Sequence, residues 1–313
     1  MPELVIAIVG PTAAGKSDLA LRLAHALGGE VVNADSMQLY AGMDIGTAKL
    51  TVAERQGVPH HLLDIWDIRQ TANVAEYQRL AREAFGSIHR RGLVPILAGG
   101  SGLYVRAALD PLKFPGTDPG LRERLEAELA ERGPAVLHAR LARLDPAAAD
   151  AILPSNGRRI VRALEVIELS GQPFDATLPE YESVYPEVQI GLAVERMELG
   201  RRIADRTARM FAAGLVEEVA GLDRAGLRDG KTAGKALGYA QVLRFLDGEY
   251  PLEEARAQTI LATRRFARRQ ESWFRRDPRV TWLAADAADL LDQALATIGS
   301  CGSPKATVPR TTS

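Results

Sequence analysis

The stretch GPTAAGKS, Gly10 to Ser17, follows the apolar run LVIAIV and leads directly into the amphipathic segment DLALRLAHAL. A strand, a glycine-rich turn and a helix in that order leave few folds open, because the pattern G-x-x-x-x-G-K-[ST] is matched in full. The glycines let consecutive backbone N–H groups turn inward on an anion, Lys16 adds a point charge, and the Ser17 hydroxyl can ligate Mg²⁺. Gly10, Pro11, Thr12, Ala13, Ala14, Gly15, Lys16 and Ser17 are therefore candidate phosphate contacts, with Ser17 the candidate metal ligand.

The same alternation continues through EVVNAD and, after a helical stretch, LVPILAGG. It reads as parallel βαβ units in an α/β layered fold. From about Asp118 the texture changes to helix after helix: LRERLEAELAERG, AVLHARLARLD and GRRIVRALEVIELSG. A brief run, VQIGLAV, then suggests a return to the sheet, followed by a helical remainder to about Ala287. The expected class is α/β, a P-loop NTPase-like parallel sheet core with an inserted all-helical subdomain. Residues 1–117 and 186–300 would form the core with its C-terminal helices, 118–185 the insertion, and the Ser/Thr/Pro/Gly-rich end, 301–313, a disordered tail.

Bulk properties narrow the function. The 39 basic and 40 acidic side chains nearly cancel, so any surface for a polyanion must be local. The apolar run near the start is far shorter than the ~20 residues of a membrane span and lacks a basic flank, so neither signal peptide nor membrane anchor is expected. The single cysteine, Cys301, excludes an intramolecular disulfide and a cysteine-based zinc site, which fits a reducing cytoplasm.

In nucleotide triphosphatases a second strand usually ends in an aspartate that helps hold Mg²⁺. Here LVPILAGGSGLY ends instead in Gly99, Gly100 and Ser101, which weakens a hydrolase reading. The other strand end, VVNADSMQLY, places Asp35 and Ser36 near the phosphate loop. A carboxylate there could hold a hydroxyl acceptor, take a proton from a nucleophile, or merely cap the next turn.

Six stretches, GPTAAGKS, ADSMQLYAGMDIGTAK, PHHLLDI, GGSGLY, RRIVRALEV and ATRRFARRQESWFR, together resemble the bacterial tRNA dimethylallyltransferases, also called tRNA isopentenyltransferases. The resemblance runs from the first strand to about Trp282. It implies transfer of a dimethylallyl group from dimethylallyl diphosphate, with Mg²⁺, to the exocyclic amine of the adenosine at tRNA position 37, on the 3′ side of the anticodon. The phosphate loop would then grip a leaving diphosphate.

On this resemblance Asp35 is the base, Ser101 stands beside the target adenosine where the family most often has threonine, and Lys16 and Arg206 bind the diphosphate. Asp35, Ser36, Met37 and Gln38 line the entry of the base. Arg122, Arg158, Arg159, Ile160, Val161 and Arg162 of the insertion, with Arg265 and Arg269 near the C-terminus, contact the anticodon stem-loop. The arginines at 158, 159 and 162 fall at i, i+1 and i+4, so one helix face can meet backbone phosphates. Phe266 and Trp273, interleaved with the C-terminal arginines, read as core packing rather than stacking platforms.

The pair His60–His61 lies on an extended segment, where neighbours point to opposite sides, so it makes a poor metal site. A monomer is expected. An ATP-dependent small-molecule kinase, or prenyl transfer to free adenine nucleotides, would share the phosphate loop. Neither needs a helical insertion or an arginine-rich C-terminal helix. A non-catalytic RNA-binding protein would need neither Asp35 nor a donor.

Overall fold

The run that leads into the phosphate loop becomes β1 (Val5–Val9), buried at every residue, as a strand covered on both faces must be. The computed structural model describes residues 3–175 and 180–301. With β1 stand β2 (Gly29–Asn33), β3 (His60–His61), β4 (Val94–Ala98), β5 (Glu187–Ala193) and β6 (Val280–Ala284). The sheet order is β3-β2-β4-β1-β5-β6, and each neighbouring pair is parallel. Helices α1 (Lys16–Leu27), α2 (Val74–Arg90) and α3 (Gly102–Leu109) supply the first crossovers. Leu19 and Leu23 of α1 pack in one core with Ile6, Ile8 and Ile190 of the sheet.

Register decides where the chemistry can lie. Ile8 pairs with Ala98, and Ala98 with Asn33, so β1, β4 and β2 end level. The three loops that follow them, GPTAAGK, GGS and ADS, therefore leave the C-terminal edge of the sheet side by side, where parallel α/β sheets bind ligands.

A second compact unit, Pro111–Glu182, is helical. It comprises α4 (Pro119–Arg132), α5 (Pro134–Leu144), α6 (Pro146–Ala151) and α7 (Gly157–Ser170). A proline opens each of the first three, where its fixed φ suits the first turn and its missing N–H is not needed. The Asp118 and Asp145 carboxylates accept the N–H groups of Leu121 and Ala148, capping α4 and α6. Leu121, Leu125, Leu137, Leu141, Ile160 and Leu164 form a separate core. This unit begins seven residues before the expected start at 118 because Arg162 donates to the carbonyls of Pro115 and Gly116. The chain re-enters the first unit at Ser183, beside its exit: Val184 N–H donates to Leu109 C=O at 2.8 Å, and Ser183 Oγ to the same oxygen at 3.2 Å.

After β5 come α8 (Arg196–Ala212), α9 (Leu215–Arg224), α10 (Tyr239–Leu246), α11 (Leu252–Phe274) and α12 (Leu290–Cys301). The stretch expected to be helical to about Ala287 is interrupted by β6, which pairs with β5 from Gln189–Val280 to Ala193–Ala284. VTWLA is too short for its period to be decided locally; the open edge of β5 decides it. Helix α12 carries through Cys301, the first residue of the expected tail, and 302–313 lie outside the described residues. Among the described residues no helix is long and apolar enough to cross a membrane.

Candidate active site

Lys16 opens α1 directly after Gly15 and donates from Nζ to Pro11 C=O at 2.7 Å. The helix N-terminus and the loop amides make this an anion site before any side chain is counted. Ala13 holds a left-handed backbone, φ 64°, a small strain of the kind found at ligand-binding turns. Burial pulls the Lys16 ammonium down to about 8, with Arg206 adding to the shift and Asp35 opposing it.

Arg206 reaches the loop from α8. Its guanidinium donates to Thr12 Oγ1 at 3.2 Å and to Thr47 C=O at 3.1 Å. Burial lowers its pKa, again against the pull of Asp35. A cavity of about 390 Å³ opens over the loop, lined by Lys16 and Ser17 on one side and Arg202, Arg206 and Arg209 of α8 on the other. Its chemistry suits a small, multiply charged anion.

Asp35 sits just beyond β2. Its Oδ1 accepts the Met37 N–H at 3.0 Å, while its own N–H is held by Asn33 Oδ1 at 2.9 Å. One oxygen thus closes the turn, while Oδ2 accepts no hydrogen bond from the described residues. Both nearby phenols, Tyr77 and Tyr104, are pushed upward by burial first and then by neighbouring charge, that of Asp35 included. Burial and neighbouring charge thus both favour the neutral phenols over the phenolates.

Ser101 receives the Ser36 N–H on its Oγ at 3.1 Å and donates to Ser36 Oγ at 3.2 Å. Gln38 donates from Nε2 to Thr47 C=O at 3.1 Å. The glycines around Ser101 answer to α11: a Cβ on Gly100 would lie 2.2 Å from Gln270 Nε2, and one on Gly102 2.1 Å from Trp273 Nε1. Trp273 is half-buried against Gly102, and Phe266, expected in the core, is half-buried with the Arg269 guanidinium over its ring at 5.7 Å.

Two supports went unread in the sequence. Gln270, 5% exposed, accepts the Thr12 N–H and donates to Gly100 C=O, both at 2.9 Å. That N–H is therefore withdrawn from the set of loop amides available to an anion. Glu218 of α9 gathers the N–H groups of Asp44, Ile45 and Gly46 at 3.1, 2.7 and 3.2 Å, plus the Tyr239 hydroxyl at 2.6 Å. It holds the DIG turn ahead of Thr47, to which Arg206 is tied. Tyr239 closes the motif LGY, which was the only sequence signal for this contact.

In the helical unit Arg158 and Arg159 are exposed. Ile160 and Val161 are 0% and 4% exposed inside its core, so their side chains hold the helix and cannot face a ligand. Arg122 and Arg162 converge on the buried carboxylate of Glu165, Arg162 at 2.7 Å. Burial alone would raise Glu165, but the two guanidiniums hold it below the ordinary glutamate range. On α11, Arg265 and Arg269 are exposed. His60 and His61 are occupied structurally, His60 Nδ1 with Val58 C=O at 2.9 Å and His61 Nε2 with Glu30 at 2.6 Å.

The family model for IPP transferases matches residues 38–277. The chain is 69% identical over 299 residues to the tRNA dimethylallyltransferase of Thermobifida fusca, covering 94% of each chain. It is 69% identical over 285 residues to that of Streptomyces coelicolor, covering 91% of each. Among solved structures, the tRNA isopentenylpyrophosphate transferase of Bacillus halodurans superposes with a TM-score of 0.72 at 42% identity, covering 96% of this chain and 97% of that one. A eukaryotic dimethylallyltransferase acting on tRNA superposes at 0.82 with 25% identity, covering 98% of this chain and 82% of that one. With its strand ends, phosphate loop and Asp35 corner arranged as described, the chain belongs to the IPP transferase family, the tRNA dimethylallyltransferases.

Proposed function

We propose that this chain transfers a dimethylallyl group from dimethylallyl diphosphate to the exocyclic amine of the adenosine 3′ to a tRNA anticodon. The observation that carries the reading is the level ending of β1, β4 and β2. It sets a cationic grip, Lys16 with Arg206, beside a carboxylate whose charge both cations feel. A bond from nitrogen to the allylic carbon forms as the carbon–oxygen bond to diphosphate breaks. The amine proton passes to Asp35, and the electron pair leaves with the diphosphate.

An aromatic exocyclic amine is a weak nucleophile, so a positioned base contributes on the order of 10²–10⁴ in rate. Negative charge growing on the departing oxygens meets Lys16, Arg206 and the remaining loop amides, which stabilise it as it develops. The exposed Ser17 hydroxyl, lining the same cavity as Lys16, fits Mg²⁺, which takes few protein oxygens and keeps phosphate oxygens and water as its other ligands. When bound, the ion neutralises diphosphate charge.

The tRNA would be held through exposed arginines: Arg158 and Arg159 on α7, Arg265 and Arg269 on α11. Arg122 and Arg162 support the α7 arginines by fixing α4 to α7 through Glu165. Met37, Gln38 and Ser36 form the wall past which the base enters. The protein would act as a monomer in the cytoplasm, and its single cysteine supports the location.

Purified protein, unmodified tRNA, dimethylallyl diphosphate and Mg²⁺ should yield an anticodon-loop adenosine heavier by one dimethylallyl group. No mass gain on any tRNA carrying that adenosine would refute the assignment. ADP release on adding ATP and a small acceptor would favour the kinase reading.

A further inference from the structure

Gln270 lies 258 positions from Thr12 and 170 from Gly100, yet one side chain spans both. Its oxygen accepts from the loop that grips phosphate, and its nitrogen donates to the carbonyl just before Ser101. A neutral group offering one acceptor and one donor in a fixed plane is what a carboxamide supplies. The site is built around it: Gly100 has no room for a Cβ against Gln270 Nε2. One helical turn on, Trp273 covers Gly102 in the same way, and the neighbouring Ala267 and Phe274 of α11 are 1% and 2% exposed. The span cannot slide without moving a packed helix.

Thr12 is consequently held from two directions, its N–H by α11 through Gln270 and its hydroxyl by α8 through Arg206. Ser101, next after Gly100, is held against Asp35's loop by the Ser36 contacts. Gln270 is the one side chain described here that bonds to both loops.

We propose that Gln270 is a positioning residue for the transfer, setting the spacing between the diphosphate-gripping loop and the Ser101 loop beside the acceptor amine. This rests on the reading that those loops hold donor and acceptor. Displacement at the allylic carbon needs the nucleophile in line with the leaving group and about 3–3.5 Å from the carbon, and a misplacement near 1 Å can cost ~10²-fold in rate. Gln270 itself touches no reacting atom. Its loss should therefore appear in kcat, with the binding of each substrate nearly intact.

The test compares the wild-type enzyme with Gln270→Met, which keeps the volume without either hydrogen bond, and Gln270→Glu, which keeps the acceptor but loses the donor. Both are assayed for thermal unfolding, tRNA Kd, KM for dimethylallyl diphosphate and kcat. The expected result is a loss of about 10–100-fold in kcat for both variants, with tRNA Kd and donor KM within about threefold of wild type. Unchanged kcat in either folded variant overturns the proposal. So does a rise in donor KM matching the loss of kcat/KM, which would make Gln270 part of the diphosphate grip. If both variants fail to fold, Gln270 is a core residue only, and the proposal falls. Failure of the wild-type enzyme to modify any tRNA would count against the proposed reaction instead, since no variant comparison could then be made.

Discussion

The Ser36 and Ser101 hydroxyls meet at 3.2 Å across 65 positions of sequence, and Ser101 Oγ also receives the Ser36 N–H. Replacing Ser101 with alanine leaves that N–H without its acceptor, at a cost of about 1–2 kcal/mol in local order. Ser101→Ala should lower kcat about tenfold, while Ser101→Thr, which restores the hydroxyl with a methyl beside it, should stay within a few-fold of wild type. Steady-state kinetics on one tRNA checks both.

Asp35→Asn separates the two roles of this carboxylate. The amide oxygen can still accept the Met37 N–H, so thermal stability should hold, while the base is gone and kcat should fall by ~10²–10⁴. Retained tRNA binding with lost transfer is the expected pairing. Undiminished transfer would remove Asp35 from the mechanism.

Lys16 makes the donor step pH-dependent in one direction. Its ammonium, pulled down to about 8 by burial, is charged below that pH and neutral above it. In the free enzyme, kcat/KM for dimethylallyl diphosphate should therefore be flat below about 8 and fall toward tenfold per unit above it. Lys16→Arg should be weaker overall but lack that alkaline fall, because a guanidinium stays charged there.

Glu218 and Tyr239 hold the DIG turn. Tyr239→Phe deletes one donor to a carboxylate that keeps three backbone N–H groups, and should destabilise by about 1–3 kcal/mol in denaturant unfolding. Glu218→Ala leaves all four donors without their acceptor and should cost more. Because Thr47 follows the turn and accepts from Arg206, Glu218→Ala should also raise donor KM.

The arginines of the helical unit divide by what they touch. Arg158→Ala should weaken tRNA binding and reduce its salt slope by roughly one, with little effect on unfolding, and Arg159→Ala should weaken tRNA binding likewise. Arg162→Ala instead strips a partner from buried Glu165 and should destabilise by about 1.5–3 kcal/mol. Since Glu165 is held below its ordinary value, its pairing contributes fully above the usual glutamate range. That contribution should disappear as pH falls below it. Unfolding of wild type and Glu165→Gln, followed from pH 7 downward, should therefore converge.

Legibility tracked sequence distance. GPTAAGKS could be read because eight contiguous residues carry the whole loop, with its strand and helix on either side, whereas the α8 arginines across the cavity come from far along the chain. Asp35 could be placed because a strand end announces itself within a few residues, although its spare oxygen could not. Gln270 could not be seen, because on a helix rich in arginine an amide reads as one more solvated side chain. Its meaning lies in two backbone contacts far away in the chain, one to an N–H and one to a carbonyl. Glu218 was hidden in the same way, at the start of an amphipathic helix where an acidic residue is expected anyway. β6 was missed because VTWLA has no period long enough to outvote its helical neighbours, and Ile160 and Val161 were grouped with arginines whose face they do not share.

The hydrogen bonds from Ser183 and Val184 to Leu109 have a consequence for the history and engineering of the chain. Seen from the α/β core, everything between them is a loop whose ends are already closed. The entropy of closing such a loop grows only logarithmically, about 0.6 kcal/mol for each doubling of length. The core can therefore accept a longer, shorter or wholly different module at this point for a small thermodynamic penalty. What selection must then preserve is the stapled pair of ends, whatever module is carried between them.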